Sequence, residues 1–291
     1  MLKHWLLAAR PKTLVASILP VCCGFLLARE QSPLISPYVG LLCLFYCFAV
    51  QVGTNFANDF FDYKKGADAN RSHGPERMVS SGLIKPEHML LFAFLVLLLG
   101  FLIGVTIMEM VSANRLLIIV GISSFLFAII YTGGPFPLAY NGLGDVFVIV
   151  FFGFVAVHST HYVLCLSAAV EWEPNWILPL GIGLVINNLL VVNNYRDFEE
   201  DRDVGKRTSV VIFGKTFGLF LFVIGVGVST ILIPFLVPSA FPTIFLCPLG
   251  LYTFFLLRKA LVKSDYGKVL SLSAITVLLY TTLLLLGYLY I

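Results

Sequence analysis

The sequence predicts an all-α integral membrane protein built as a bundle of nine transmembrane helices. Hydrophobic residues make up 59% of the chain and charged residues only 12%, whereas about a quarter of the residues of a soluble domain are charged. The apolar residues form long runs of roughly 20 residues, which is the length that crosses a bilayer as a helix. Because these runs do not alternate with period two, a helical bundle is favoured over a β-barrel.

Nine apolar runs lie between charged or Pro- and Gly-rich breaks, and each run predicts one helix. The predicted helices cover residues 13–29, 37–58, 88–108, 115–132, 143–166, 176–194, 217–237, 241–258 and 268–290. All six cysteines fall inside these runs without a C-x-x-C pair, so neither a zinc site nor a disulfide framework is indicated. We expect one membrane domain over residues 1–291, with no cleaved signal peptide.

Basic residues predict how the chain is oriented. If the N-terminus is cytoplasmic, seventeen of the nineteen Lys and Arg residues lie on the cytoplasmic side, and only Arg29 and Arg115 lie outside. Cytoplasmic loops of membrane proteins carry such an excess of positive charge. We therefore expect a multi-pass protein of the cell inner membrane, with its N-terminus in the cytoplasm.

Two clusters of Asn and Asp residues lie at the cytoplasmic ends of the second and sixth predicted helices. The first contains Asn55, Asn58, Asp59 and Asp62, with Asp68 shortly after it. The second contains Asn193, Asn194, Asp197 and Asp201. Residues three or four apart share one face of a helix, so each cluster should project as a polar stripe toward a common space. Ionisable groups facing a bundle are costly, and these clusters therefore predict the active site.

The two clusters share an internal spacing. Asn58 precedes Asp62 by the same four residues that separate Asn193 from Asp197, and the two pairs lie four predicted helices apart. This arithmetic predicts a pseudo-repeat in which helices one to four correspond to helices five to eight.

The chemistry of the clusters favours a divalent metal and a phosphate group. Gathered carboxylates repel one another unless a cation neutralises them, and Mg²⁺ with oxygen ligands does so while it also binds substrate phosphates. Basic residues beside the acids are donors for phosphate oxygens. For diphosphate binding we expect Asn55, Lys64, Arg71, Arg77, Arg196 and Lys206. The alternative to diphosphate binding is helix packing for Asn55. For the basic residues the alternative is that they only contribute to the general excess of positive charge on the cytoplasmic side.

The two clusters belong to motifs with specific spacings. The paired motifs are Asn58-Asp59-x-x-Asp62 with a later Asp68, and Asp197-x-x-x-Asp201 with Gly205-Lys206-x-Thr208. Supporting stretches are Ala9 to Leu14, Tyr131 to Pro135 with Gly144-Asp145, and Asn193 to Asp197. These motifs resemble those of the UbiA superfamily of intramembrane aromatic prenyltransferases, over nearly the whole chain. The most similar branch uses 1,4-dihydroxy-2-naphthoate as its acceptor.

This resemblance implies that the helices surround a central cavity in which polyprenyl diphosphate binds through Mg²⁺. The implied metal ligands are Asn58, Asp59, Asp62, Asp68, Asp197 and Asp201. The implied catalytic carboxylates are Asp59, Asp62, Asp197 and Asp201, together with Asp145, which we expect to orient or deprotonate a naphthol hydroxyl. The residues expected to contact the substrate or stabilise an allylic cation are Tyr131, Tyr140, Phe60, Phe61, Phe198 and Asn193.

The implied reaction transfers the prenyl group to 1,4-dihydroxy-2-naphthoate with loss of CO₂ and diphosphate, which gives demethylmenaquinol for menaquinone biosynthesis. Other aromatic acceptors, 4-hydroxybenzoate or 1,4-dihydroxy-6-naphthoate, remain open. An ion-coupled transporter is a further alternative, although carrier sites lie near the bilayer midplane and these clusters lie at helix ends. The expected partners are the two substrates and the lipid bilayer, with neither nucleic acid nor a protein partner.

Overall fold

The computed structural model describes residues 2–68, 74 and 76–290 of the chain. We number its helices α1 to α12, and two of them contain short π-helical segments, while the start of α11 is a 3-10 helix. The helices are α1 Leu2–Ala8, α2 Pro11–Gln31, α3 Pro37–Lys64, α4 Pro86–Met110, α5 Leu116–Ile130, α6 Gly144–Ser167, α7 Ile177–Arg196, α8 Phe198–Asp203, α9 Ser209–Phe213, α10 Lys215–Leu236, α11 Pro238–Lys259 and α12 Lys263–Leu289.

Eight of these helices are long and apolar enough to cross a membrane, within the ranges the structure describes. The prediction of an all-helical integral membrane protein is therefore confirmed. The count of nine spans is not confirmed, because α5 has 15 residues. At 1.5 Å per residue, α5 is about 22 Å long, which is shorter than the hydrocarbon core of a typical bilayer at roughly 30 Å.

Helix α3 continues six residues beyond its predicted end. It starts with Pro37 in its first turn, and the side chain of Ser36 caps it by accepting the backbone N–H of Val39. The helix then runs on to Lys64, so Asp59 and Asp62 are helical residues near its end. The polar stripe that the sequence predicts is thereby extended along one rigid element.

Helix α7 is the most buried of the eight spans, because 72% of its apolar 18-residue stretch is buried inside the protein. It packs closely against α6 at two glycines. A Cβ on Gly153 would lie 2.5 Å from the carbonyl oxygen of Pro179, and one on Gly183 would lie 2.7 Å from the carbonyl oxygen of Ile149. Small residues allow this approach of two backbones, as is common between membrane helices. Helix α7 thus holds the second Asn and Asp cluster at its end on a firmly packed support.

Candidate active site

A cavity of about 310 Å³ lies between the helices, and one part of its wall is polar while most of it is apolar. Its polar wall includes Arg10, Asn55, Asn58, Tyr131 and Asn193. Its apolar wall includes Phe101, Ile107, Leu117, Phe151 and Val163. Asp62 follows Asn58 by one helical turn, and Asp197 follows Asn193 by four residues, so both acidic clusters lie beside the polar part of the cavity.

The first cluster is held together by Arg77. Its guanidinium lies 3.5 Å from a carboxylate oxygen of Asp62 and 3.3 Å from one of Asp68. All three side chains are buried. Since a buried carboxylate needs a compensating charge, Arg77 holds two predicted metal ligands together in one place.

The second cluster is arranged in the same way. Arg196 makes a two-pronged contact with Asp197, with N–O distances of 2.6 and 2.7 Å. Lys206 lies 3.3 Å from Asp201. Each of these predicted diphosphate-binding cations is thus paired with a predicted metal-binding carboxylate, as Arg77 is in the first cluster.

Tyr140 brings the two clusters together. Its hydroxyl donates to a carboxylate oxygen of Asp62 at 2.8 Å, and its ring lies 4.3 Å from the ammonium of Lys65 and 5.4 Å from that of Lys206. Burial, and then the charge of Asp62, raise the pKa of Tyr140, so the phenol stays protonated and able to donate. Burial lowers the pKa of Lys65, and the nearby Asp62 opposes that effect.

Three motif residues of α3 contact neighbouring segments. The amide of Asn55 donates to the carbonyl of Ala9 at 2.9 Å, and the carbonyl of the Asn58 side chain accepts the Thr132 hydroxyl at 2.7 Å. Asp59 accepts two backbone N–H groups with its two carboxylate oxygens. The diphosphate-binding role of Asn55 and the metal-binding roles of Asn58 and Asp59 stay predictions.

Asp145 does not reach the cavity wall in the described part of the chain. One of its oxygens accepts the amide of Asn187 at 3.0 Å, and the other accepts the hydroxyl of Ser209. The carboxylate therefore links α6 to α7 and α9. Asp145 lies in the first turn of α6, where its side chain faces α7 and α9. Tyr131, by contrast, lines the cavity.

The predicted aromatic set is only partly brought to the cavity. Among the described residues that form the wall, Tyr131 is present but the predicted phenylalanines are not. The rings of Phe60 and Phe61 pack on each other at 5.1 Å, and Phe198 lies beneath the cations of Arg202 and Lys215. Five other phenylalanines line the cavity instead, and three of them pack together, namely Phe127, Phe147 and Phe151. With 26 phenylalanines in the chain, only the spacing of four between Phe147 and Phe151 could have indicated them.

Sequence reasoning also missed Arg10 as a cavity residue. Arg10 lies between α1 and α2 with φ of 54° and ψ of 68°, a left-handed conformation that is costly for a residue with a side chain. Its side chain lines the polar part of the cavity. Of the remaining predicted diphosphate contacts, Lys64 is exposed at the end of α3 and Arg71 lies outside the described residues.

The donors of the two clusters suit Mg²⁺. Asp62, Asp68, Asp197 and Asp201 are buried carboxylates beside a polar cavity wall, and Mg²⁺ prefers such oxygen ligands, using one or two carboxylates together with substrate phosphates. Within the described ranges, no three Asp, Glu, His or Cys side chains are already gathered as a metal site. The residues therefore fit a metal that arrives with the diphosphate better than a closed cage.

Comparison with known proteins identifies the family. The model of the UbiA prenyltransferase family matches residues 17–282. A 1,4-dihydroxy-2-naphthoate octaprenyltransferase of Haemophilus influenzae is 35% identical over 219 residues, which cover 73% of this chain and 70% of that protein. The protein of the same name from Mycobacterium tuberculosis is 37% identical over 211 residues, with 72% and 70% coverage.

A solved structure supports the fold. The UbiA homolog from Archaeoglobus fulgidus bound to GPP and Mg²⁺ superposes with a TM-score of 0.65 at 13% identity, covering 96% of this chain and 99% of that one. Since the family model covers well over half of the chain and the fold agrees, this protein belongs to the UbiA prenyltransferase family.

Proposed function

We propose that this protein transfers a polyprenyl group from polyprenyl diphosphate to 1,4-dihydroxy-2-naphthoate, releasing diphosphate and CO₂ and giving demethylmenaquinol for menaquinone biosynthesis. Relatives named for this acceptor match most of the chain. The observation that carries the proposal is that Tyr140, beside one largely apolar cavity, contacts Asp62 of the first cluster and Lys206, which pairs with Asp201 of the second. Such a site suits a substrate with a diphosphate head and a hydrocarbon tail.

The head of the substrate is expected at the clusters. Arg77, Arg196 and Lys206 are donors for its phosphate oxygens. When bound, Mg²⁺ supplies positive charge that stabilises the departing diphosphate, and Asp62, Asp68, Asp197 and Asp201 are the residues that would hold it. Because these carboxylates pair with the cations in this structure, their use as metal ligands would leave the cations available to the diphosphate.

The bond changes balance without a further reactant. The allylic carbon–oxygen bond breaks, and its electron pair leaves with the diphosphate. The ring carbon that bears the carboxylate then bonds to the allylic cation, after which the carbon–carboxylate bond breaks and its electrons restore the aromatic ring as CO₂ departs. Tyr131, Phe147 and Phe151 offer ring faces to the cation, and the apolar wall keeps out water that would capture it.

The test uses purified protein in detergent with Mg²⁺ and a polyprenyl diphosphate. Each candidate acid is supplied in turn with a labelled carboxyl group, and the acids are 1,4-dihydroxy-2-naphthoate, 1,4-dihydroxy-6-naphthoate and 4-hydroxybenzoate. We expect a prenylated product and labelled CO₂ from the first. A product from only one of the others would replace the acceptor, and no product from any acid would refute aromatic prenyl transfer.

A pair of carboxylate variants makes the test specific to the site. Asp62→Ala removes the buried carboxylate that Tyr140 and Arg77 contact, and we expect it to abolish turnover while the protein still purifies as folded bundle. Asp203→Ala removes a carboxylate at the end of α8 that is 74% exposed, and it should leave turnover unchanged. If Asp62→Ala turned over as fast as Asp203→Ala, the two acidic clusters would not form one shared active site.

We also propose that the site faces the cytoplasm from the cell inner membrane. The distribution of seventeen of nineteen basic residues supports this orientation. A cysteine introduced at exposed Asp203 should react with a membrane-impermeant maleimide only after cells are permeabilised. Labelling of that cysteine in intact cells would reverse the orientation.

A further inference from the structure

We propose that Asp59 is a positioning residue. It holds the segment from Arg77 to Ile84 so that the Arg77 guanidinium reaches Asp62 and Asp68. Its effect on catalysis rests on the proposed function, whereas its contact with the segment does not. Within the motif Asn58-Asp59-x-x-Asp62, the two carboxylates would then have different tasks, one binding the backbone and the other facing the site.

The geometry of Asp59 is that of an anchor. Its side chain is 2% exposed, and its oxygens accept the backbone N–H groups of Met78 at 3.2 Å and Val79 at 3.3 Å. Successive backbone N–H groups that converge on one anion form an anion-binding arrangement. Both carboxylate oxygens therefore accept hydrogen bonds from the segment, and the described wall of the cavity does not include Asp59.

The anchored segment carries Arg77. Arg77 immediately precedes Met78, and the turn is closed by hydrogen bonds from Ser81 to the Arg77 carbonyl and from Ile84 N–H to the Met78 carbonyl. The side chains of Met78 and Val79 are buried in an apolar cluster. The backbone of Arg77 is thus fixed from one side by packing and from the other by Asp59.

The position of Arg77 matters because its side chain spans two carboxylates. A guanidinium must be held in both place and direction to contact Asp62 and Asp68 at 3.5 and 3.3 Å. Asp59 lies on the same rigid helix as Asp62, three residues earlier. The distance from the anchor to the site is therefore set by one helix, and a small displacement of the segment would separate Arg77 from its partners.

Asp59→Asn tests the proposal with little change in shape. Its amide keeps one acceptor oxygen but turns an N–H donor toward the second backbone N–H. In the apoprotein we expect faster hydrogen–deuterium exchange at Met78 and Val79. With substrates we expect the KM for polyprenyl diphosphate to rise about tenfold, the size of effect typical of losing a hydrogen bond to a charged group, while kcat changes much less.

Metal binding separates an anchor from a ligand. Mn²⁺ is titrated into the protein without diphosphate, which would itself chelate the ion, and free Mn²⁺ is followed by electron paramagnetic resonance. Asp59→Asn should bind Mn²⁺ as the wild type does, whereas Asp62→Asn should bind it much more weakly without faster exchange at Met78 and Val79. Asp203→Asn is the matched control for the same change at an exposed carboxylate and should alter neither.

The result that would overturn the proposal is weakened Mn²⁺ binding by Asp59→Asn with unchanged exchange, since Asp59 would then be a metal ligand. If that variant does not fold, Asp59→Glu keeps the charge but displaces the carboxylate. For this variant too we expect faster exchange at Met78 and Val79 with unchanged Mn²⁺ binding, and the opposite pair of results would overturn the proposal. If the wild type prenylates no aromatic acid, the proposed function fails, while the exchange and Mn²⁺ measurements still decide whether Asp59 holds the segment.

Discussion

Tyr140 is the residue through which the two acidic clusters are coupled. Its hydroxyl reaches Asp62 from one cluster, and its ring lies over Lys206, which pairs with Asp201 of the other. Tyr140→Phe removes the hydroxyl and keeps the ring. A buried carboxylate that loses a donor is destabilised by about 1.5–3 kcal/mol, so we expect kcat/KM to fall at least about tenfold.

The control for this variant is Tyr63→Phe, one residue beyond Asp62 on α3. Tyr63 is 44% exposed, so the loss of its hydroxyl should leave kcat/KM within about twofold, as is usual for surface changes. Steady-state kinetics with varied polyprenyl diphosphate measure both variants. An unchanged kcat/KM for Tyr140→Phe would show that the contact with Asp62 is not needed.

Asp145→Asn should affect stability more than chemistry. The Asp145 carboxylate accepts hydrogen bonds from both the Asn187 amide and the Ser209 hydroxyl. The NH₂ group of an asparagine cannot accept, so one of these two donors would lose its acceptor. Leaving a buried group without a partner costs about 1–3 kcal/mol. We expect a lower thermal midpoint in detergent, matched by Ser209→Ala, with kcat retained. A lower kcat at an unchanged midpoint would instead support our sequence-based prediction of a chemical role.

At this scale the sequence identifies the polar residues better than their partners. The spacing of Asn58, Asp62 and Asn193 predicts a shared polar region, because helical periodicity fixes which side chains lie on one face. It does not predict that Asp59 accepts hydrogen bonds from the backbone N–H groups of Met78 and Val79. Nor does it predict that Phe198 lies under the exposed cations of Arg202 and Lys215. Those contacts depend on how loops return to the bundle, which periodicity does not encode.

Helices are the scale at which the sequence is most informative. Proline, glycine and charged residues mark the ends of apolar runs, and most predicted ends lie within a few residues of the observed ones. The exceptions have physical reasons. Helix α3 continues through polar residues because they are buried against other segments, and α5 is too short to count as a span by length.

The crossing of α6 and α7 gives a prediction for whole elements. Gly183→Ala places a methyl group 2.7 Å from the carbonyl oxygen of Ile149, so the helices must move apart. Overpacking of this kind costs typically about 1–3 kcal/mol, and we expect a lower thermal midpoint in detergent. Gly227→Ala is the matched control, because a Cβ there meets no atom within 4 Å. A midpoint equally unaffected in both variants would mean that the crossing adapts without cost.

The cavity is a property of the whole molecule and could not be predicted in detail from the sequence. Its wall combines residues of α2, α3, α4, α5, α6 and α7, and the packing of these helices decides which of many similar apolar side chains face inward. The only sequence signals were therefore the motif stretch Ala9 to Leu14 for Arg10 and the spacing of four from Phe151 for Phe147. The pseudo-repeat of helices one to four and five to eight stays a prediction that internal superposition can test.

The length of the cavity predicts a limit on the prenyl chain. Cys43 and Asn58 of α3 both line the cavity and are fifteen residues apart, which is about 22 Å along a helix. Leu117 lines the cavity and packs against the cluster of Cys43 and Ile107, far from Asn58. A tryptophan there would fill the space that the end of a long chain needs, while a short chain would still reach the clusters.

We therefore expect Leu117→Trp to lower kcat/KM for octaprenyl diphosphate about tenfold, as overpacking by 1–3 kcal/mol would do, and to leave that for geranyl diphosphate unchanged. Leu116→Trp is the control, because the neighbouring Leu116 is 64% exposed on the outer surface of the same helix. Competition between the two diphosphates in one reaction measures the ratio directly. A ratio that is equal in both variants would place the end of the prenyl chain elsewhere, whereas a fall confined to Leu117→Trp would mean that the far end of the cavity determines chain length.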